Sequence, residues 1–300
     1  MSSNLFCHIQ QDTTCNAHEN MLECLQLVTF PHKFNMAHET AFLGASTVLG
    51  RYWTKRRPFD YLINKDNFHQ TFGKSFRMMV YLDSAIANGP ENVKKDIAAD
   101  TRATNYLIQH LADIKPELTI FVTTCDMLTD KADENSPVLE SSEDPYVQNR
   151  INLYRELNRQ YGRVLNVHLT EIASVTHRGF SHVIDTLLDP PATGTLPLNP
   201  QEMHQLYFSQ RILGDVERCI PLGISSIIPA MPPLTTVEIA EIVAPELLDR
   251  LPAYDPEAAK GSNRTSIHSF QWLDPKDGYL VTKEDQQELL KFYFRPDLLA

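Results

Sequence analysis

The sequence is short of positive charge. Lys and Arg number 27 against 38 Asp and Glu over 300 residues, a formal net charge of −11. That balance argues against broad binding to phosphate backbones or acidic membrane surfaces, so no nucleic-acid and no membrane partner is expected. Lys55, Arg56 and Arg57 form the one basic cluster worth noting. Long apolar runs are also missing, and the start Met1-Ser2-Ser3-Asn4-Leu5 lacks the basic-then-apolar layout of a secretory signal, so a cytoplasmic location is the expectation. Cysteine is sparse: Cys7, Cys15, Cys24, Cys125 and Cys219 include no closely spaced pair, which argues against a disulfide framework. Cys7, Cys15, His18, Cys24 and His32 match none of the two-plus-two spacings that gather four zinc ligands, so no metal is expected. There are no internal repeats.

What is present is ordinary globular composition, 42% hydrophobic and 22% charged. Residues 1–35 read as an irregular extension, and Met36 as an alternative chain start. From there short apolar runs alternate with helical patterns, the signature of a parallel α/β sheet. Strands are expected at Thr40–Leu43, Phe59–Ile63, Met78–Leu82, Leu118–Thr124, Leu165–Leu169 and Ser225–Ile228. Helices are expected at Val48–Lys55, from Pro90 through Leu111, from Val147 to Tyr161, at Gln210–Pro221, at Thr235–Ala244 and at Lys283–Phe294. Thr235 and Glu238 are spaced as a capping box. Residues 252–281 show no clear period.

Gly44-Ala45-Ser46-Thr47-Val48-Leu49-Gly50 straddles an expected strand-to-helix junction. The first glycine permits a sharp turn and the last lets the helix approach the sheet. The helix N-terminus then offers unpaired N–H groups and a positive dipole end to a pyrophosphate. Two glycines alone also fit a simple turn. Thr47 stands where a further glycine would let phosphate approach the backbone. Asp66, further along, reads either as a ribose ligand or as a solvated loop acid beside Lys65.

Three passages carry a resemblance. Phe42-Leu43-Gly44-Ala45-Ser46-Thr47-Val48-Leu49-Gly50 resembles the glycine-rich turn of the extended short-chain dehydrogenases, the NAD-dependent epimerase/dehydratase family. Phe121–Leu128 is similar to the strand that ends in that family's catalytic Ser/Thr, placing Thr124 there. Asp144–Arg150 is similar to the start of its Tyr-x-x-x-Lys helix, in a branch with Arg for Lys, placing Tyr146 and Arg150. The resemblance implies a doubly wound, mostly parallel Rossmann-like sheet with a small C-terminal substrate domain. Residues 36–170 and 205–230 would form the dinucleotide domain, and 171–204 and 231–300 the substrate domain. It implies NAD or NADP held by Gly44, Ser46, Thr47, Val48, Leu49, Gly50, Asp66 and Asp100, the last standing at the family's asparagine. It implies Arg178, His182 and Gln205 near a nucleotide sugar or similar polyol, and a homodimer formed by the helices at 91–112 and 147–161. Tyr146 would move the proton, Thr124 hold the same oxygen, and Arg150 serve the tyrosine and the ribose together. The departures at Thr47, Asp100 and Arg150 keep a second reading open, a catalytically impaired protein that binds NAD(P) as a sensor or interaction partner. Read without the resemblance, Tyr146 is a helix-start residue, Arg150 an acid-paired cation and Thr124 a β-former.

Overall fold

In the computed structural model, residues 39–129, 131–174, 179–253 and 278–295 are described. Chain contacts divide the protein into Met1–Ala37 and a compact unit His38–Ala300, to which all of these residues belong. The expectations for residues 1–35, for Arg178 and for most of 252–281 fall outside them.

Six parallel strands form the central sheet: β1 (Thr40–Leu43), β2 (Tyr61–Ile63), β3 (Met78–Leu82), β4 (Thr119–Thr124), β5 (Val164–Leu169) and β6 (Ser226–Ile227). Their order is β6-β5-β4-β3-β1-β2, so the strand order reverses between β1 and β3. In such sheets the crevice outside the carboxyl ends at that switch point is where ligands bind. Every residue of β4 and of β5 is buried, which is why both read as apolar, β-branched-rich runs without alternation. Their register sets Thr123 opposite His168 and Thr124 opposite Leu169.

Helices α1 (Val48–Arg56), α2 (Ser84–Asn88), α3 (Pro90–Lys94), α4 (Ile97–His110) and α5 (Pro145–Gln160) flank the sheet. Trp53 of α1 is almost completely buried, edge-on to Phe42 of β1 at 5.6 Å. At the start of α5, Pro145 takes a first-turn position and the Asp144 carboxylate accepts the Tyr146 N–H at 2.9 Å. Beyond β5 come α6 (His182–Leu188), α7 (Ile212–Cys219), α8 (Thr236–Val243) and α9 (Lys283–Phe294). The Thr235–Glu238 capping box closes with both of its reciprocal bonds.

Some expectations change. The strand at 59–63 begins only at Tyr61, because the Asp60 carboxylate is occupied by the N–H and hydroxyl of Thr40, at 2.7 and 2.9 Å. The helix expected from Pro90 onward is two helices. Asp96 breaks it, its carboxylate capping Ala99 N–H at 3.0 Å. Leu153 of α5 is a core residue, whereas Tyr106 of α4 is 44% exposed. Short pairings absent from the sequence reading link Glu171–Ala173 with Leu206–Phe208 and Met203–His204 with Leu234–Thr235. No helix among the described residues is long and apolar enough to cross a membrane.

Candidate active site

The turn after β1 is built around Gly44, whose φ of +102° disfavours any side chain. The N–H groups of Gly44 and Ala45 both donate to the Ile63 carbonyl, at 3.0 and 3.2 Å, tying the turn to β2. Gly50 is required for a different reason: a Cβ there would lie 2.0 Å from the Gly44 carbonyl oxygen. The helix therefore sits on the turn as closely as backbone allows. Thr47 has a specific task. Its hydroxyl donates to the Gly44 carbonyl at 2.6 Å and accepts the Gly50 N–H at 3.1 Å, so the side chain at the family's glycine position closes the turn and caps α1. Arg51 folds back, donating to the Ser46 carbonyl at 2.6 Å, and brings a guanidinium beside the same exposed loop. Leu49 is buried, so its contribution to an anion there is limited to its backbone. A close-packed glycine turn, a helix start and a neighbouring cation are parts that fit a dinucleotide pyrophosphate.

Thr124 ends β4, and Tyr146 lies in the first turn of α5. Both point at one carboxylate. The Thr124 hydroxyl donates to Asp126 Oδ2 at 2.9 Å, and the Tyr146 hydroxyl donates to the same oxygen at 3.1 Å. Asp126 N–H in turn donates to Thr124 Oγ1, so the tight turn after β4 fixes the acid relative to the threonine. Burial, and after it the charge of Asp126, raise the Tyr146 pKa well above the ordinary phenol value. The phenol holds its proton. Thr124 and Asp126 form part of the wall of a cleft of about 260 Å³ that also takes in Lys94, Glu171, His204 and Gln205.

Arg150 is one of the most deeply buried side chains in the protein, at 2% exposure. Its terminal nitrogens donate to both oxygens of Asp100, at 2.6 and 2.9 Å, to Asp83 at 3.1 Å, to Ser84 at 2.6 Å and to the Tyr146 carbonyl at 2.8 Å. Asp100 also accepts from Ser84 and from Asn149, and Thr123 donates to Asp83 at 2.7 Å. Burial alone would raise the Asp100 pKa. The bonds from Arg150, Ser84 and Asn149 outweigh it and hold the carboxyl below its ordinary range. The guanidinium keeps its charge for the matching reason, with Asp83 and Asp100 offsetting its own desolvation. Arg150 still touches Tyr146, its guanidinium carbon lying 4.3 Å from the ring centroid.

No family model and no curated protein matches this sequence. Solved structures do. L-threonine dehydrogenase from Phytophthora infestans superposes with a TM-score of 0.60 at 12% identity, covering 87% of this chain and 100% of that one. The dTDP-4-dehydrorhamnose reductase from Yersinia enterocolitica gives 0.59 at 9%, covering 85% and 99%. MoeE5 in complex with UDP-glucuronic acid and NAD gives 0.54 at 13%, covering 86% and 99%. The chain shares the Rossmann-like α/β fold of these enzymes.

The other expected residues divide. Gln205 lines the cleft, but its amide already donates to the Met231 carbonyl at 2.9 Å. His182 lines it too, with Nε2 3.3 Å from the Pro197 carbonyl. Asp66 is exposed beside β2, in a turn whose N–H groups are held by the Asn64 side chain. Asp100, expected against the cofactor, has both carboxylate oxygens filled by protein donors. That is a correction, and its physical reason is the guanidinium at 150, which needs a buried counter-charge. His168 is a core residue, its pKa pushed down to about 4 by burial, and the Cys125 thiol donates to the His168 carbonyl. Sequence reasoning missed Asp126, which stands two residues past Thr124 inside a passage already singled out. It also missed Asp83, Ser84, Glu171 and His204, whose only signal is polarity within otherwise apolar surroundings.

Proposed function

We propose that the protein is an NAD(P)-dependent oxidoreductase or isomerase acting on a nucleotide sugar or a similar polyol. The observation that carries this is the convergence of Thr124 and Tyr146 on Asp126 at the wall of the cleft. A nicotinamide dinucleotide with its pyrophosphate at the Gly44 turn would supply or take the hydride. Gly44, Thr47 and Gly50 would shape the turn, and the backbone N–H groups of Val48 and Leu49 at the start of α1 would face the phosphates, with Ser46 and Arg51 at the rim. In the reducing direction Tyr146 gives its phenolic proton to the substrate oxygen, which Thr124 holds by turning its hydroxyl from Asp126. In the oxidising direction the same path runs in reverse: Tyr146 passes its proton to Asp126 and takes the proton of the substrate hydroxyl in its place. Arg150 acts through the tyrosine ring and the helix it anchors.

A second reading rests on a specific observation: Arg150 is enclosed by Asp83, Asp100 and Ser84, which favours a protein that binds NAD(P) without turnover. Titration with NADH and with NADPH, followed by nicotinamide fluorescence and by melting shift, tests what both readings share. Binding of neither cofactor overturns both. Turnover of any sugar nucleotide by the cofactor-bound protein removes the second.

A further inference from the structure

In the lining of the same cleft, Ser181 and His204 meet on the carboxylate of Glu171, and Thr236 backs His204. Ser181, which caps α6 by accepting the Ile184 N–H, has only its own proton left to give and donates it to Glu171 Oε1 at 2.5 Å. His204 Nδ1 lies 3.0 Å from Glu171 Oε2. His204 Nε2 lies 3.0 Å from the hydroxyl of Thr236, the first residue of α8, and Thr236 is fully buried. His204 is itself buried, whereas the Glu171 side chain keeps 25% of its surface exposed and lines the cleft.

The geometry assigns the parts. Both ring nitrogens of His204 are spent on protein partners, so the imidazole orients Glu171 rather than touching a ligand. Burial alone would lower the His204 pKa, but the bond and charge of Glu171 outweigh it and hold the ring above its ordinary value. Ser181 and His204 each fill one lone pair of the carboxylate, so each oxygen retains capacity to accept from a ligand. A carboxylate fixed at two points is a preorganised acceptor. It rewards a donor and repels another acceptor, and the same wall holds two further acids, Asp126 and Glu202, against one lysine, Lys94.

We propose that Glu171, with His204 and Ser181 as its positioning residues, recognises the sugar portion of the substrate through a hydroxyl or ammonium donor and rejects sugars that carry a carboxylate. This rests on the nucleotide-sugar reading above and narrows it to neutral and amino sugars. MoeE5, which shares the fold, has been solved with UDP-glucuronic acid, so the fold itself does not impose this selectivity.

The experiment is calorimetric titration of the full chain, with NADH present, with UDP-glucose and with UDP-glucuronic acid. The wild type is expected to bind UDP-glucose at least about tenfold more tightly, because a carboxylate on the sugar would stand against the like charge of Glu171. Glu171→Gln keeps the size and an acceptor but removes the charge, and should raise the affinity for UDP-glucuronic acid about tenfold, erasing the preference. His204→Phe should weaken UDP-glucose binding and His204→Asn, which restores a donor toward Glu171, should recover part of it. Equal binding of the two sugars by the wild type, an unchanged ratio in Glu171→Gln, or no binding of either sugar overturns the inference. Failure of NADH to bind while the sugar preference persists would count against the cofactor reading and leave this one standing.

Discussion

Replacing Arg150 with Ala probes the most densely bonded polar cluster described. The substitution removes the cation from a site where Asp83 and Asp100 are each nearly inaccessible to water, with side-chain exposures of 3%. Breaking a buried pair by deleting one partner typically costs about 3–5 kcal/mol, because the remaining charge is left without compensation. For a domain of this size that corresponds to a fall in melting temperature of about 6–20 °C. The double variant Arg150→Ala/Asp100→Asn should melt above the single one, since it removes one orphaned charge along with the cation. The pH dependence has a definite sign. Asp100 has a folded pKa below its unfolded value, so its contribution to wild-type stability is complete above about pH 4 and is lost as pH falls through the folded value. In Arg150→Ala the Asp100 carboxyl loses the bonds that held its pKa down, so the gap to wild type should narrow as pH falls. Thermal and urea denaturation at several pH values measure this. A single variant melting within about 2 °C of wild type, well below that range, or a double variant no better than the single, would refute the structural role given to the cluster.

Other outcomes follow from the same geometry. Tyr146→Phe should lower turnover by about 10²–10⁴ while leaving NAD(P) affinity nearly unchanged, because the ring packs where it did and only the bond to Asp126 is lost; steady-state kinetics beside cofactor titration check it. Gly50→Ala forces α1 away from the Gly44 carbonyl and should cost about 1–3 kcal/mol together with cofactor binding, read by melting and by NADH fluorescence. A homodimer through α4 and α5, with exposed Tyr106 in the contact, should sediment at twice the 34.2 kDa chain mass; a monomer alone at micromolar concentration would contradict it.

Much of the fold was legible because its signals are local. The apolar run of β4, the Asp144–Pro145 start of α5 and the Thr235–Glu238 capping box each lie within a few residues, and all three stand in the structure. The break at Asp96 is equally local and was obscured by an apolar period that runs on across it. The paired short strands were not legible, since each depends on a partner distant in sequence. The site divides the same way. The Gly44 turn is marked by its glycine spacing, whereas Thr124 and Tyr146 are singled out only by the family resemblance. Arg150 pairs with Asp100 across 50 positions and with Asp83 across 67, and Glu171 pairs with His204 across 33. Nothing in a one-dimensional pattern marks such partners, although a buried arginine requires them.

The central claim, that the cleft lined by Thr124 and Asp126, with Tyr146 bonded to Asp126 behind it, performs nicotinamide-dependent chemistry on a polyol, is tested most directly by product analysis. Wild type and Tyr146→Phe would be incubated with reduced and oxidised NAD and NADP and a panel of UDP- and dTDP-sugars, and the sugars then resolved by chromatography and mass spectrometry. The structure predicts a new reduced, oxidised, epimerised or dehydrated sugar nucleotide in the wild type, and its loss in Tyr146→Phe. No converted sugar in any wild-type mixture with cofactor demonstrably bound, or undiminished conversion by Tyr146→Phe, would contradict it.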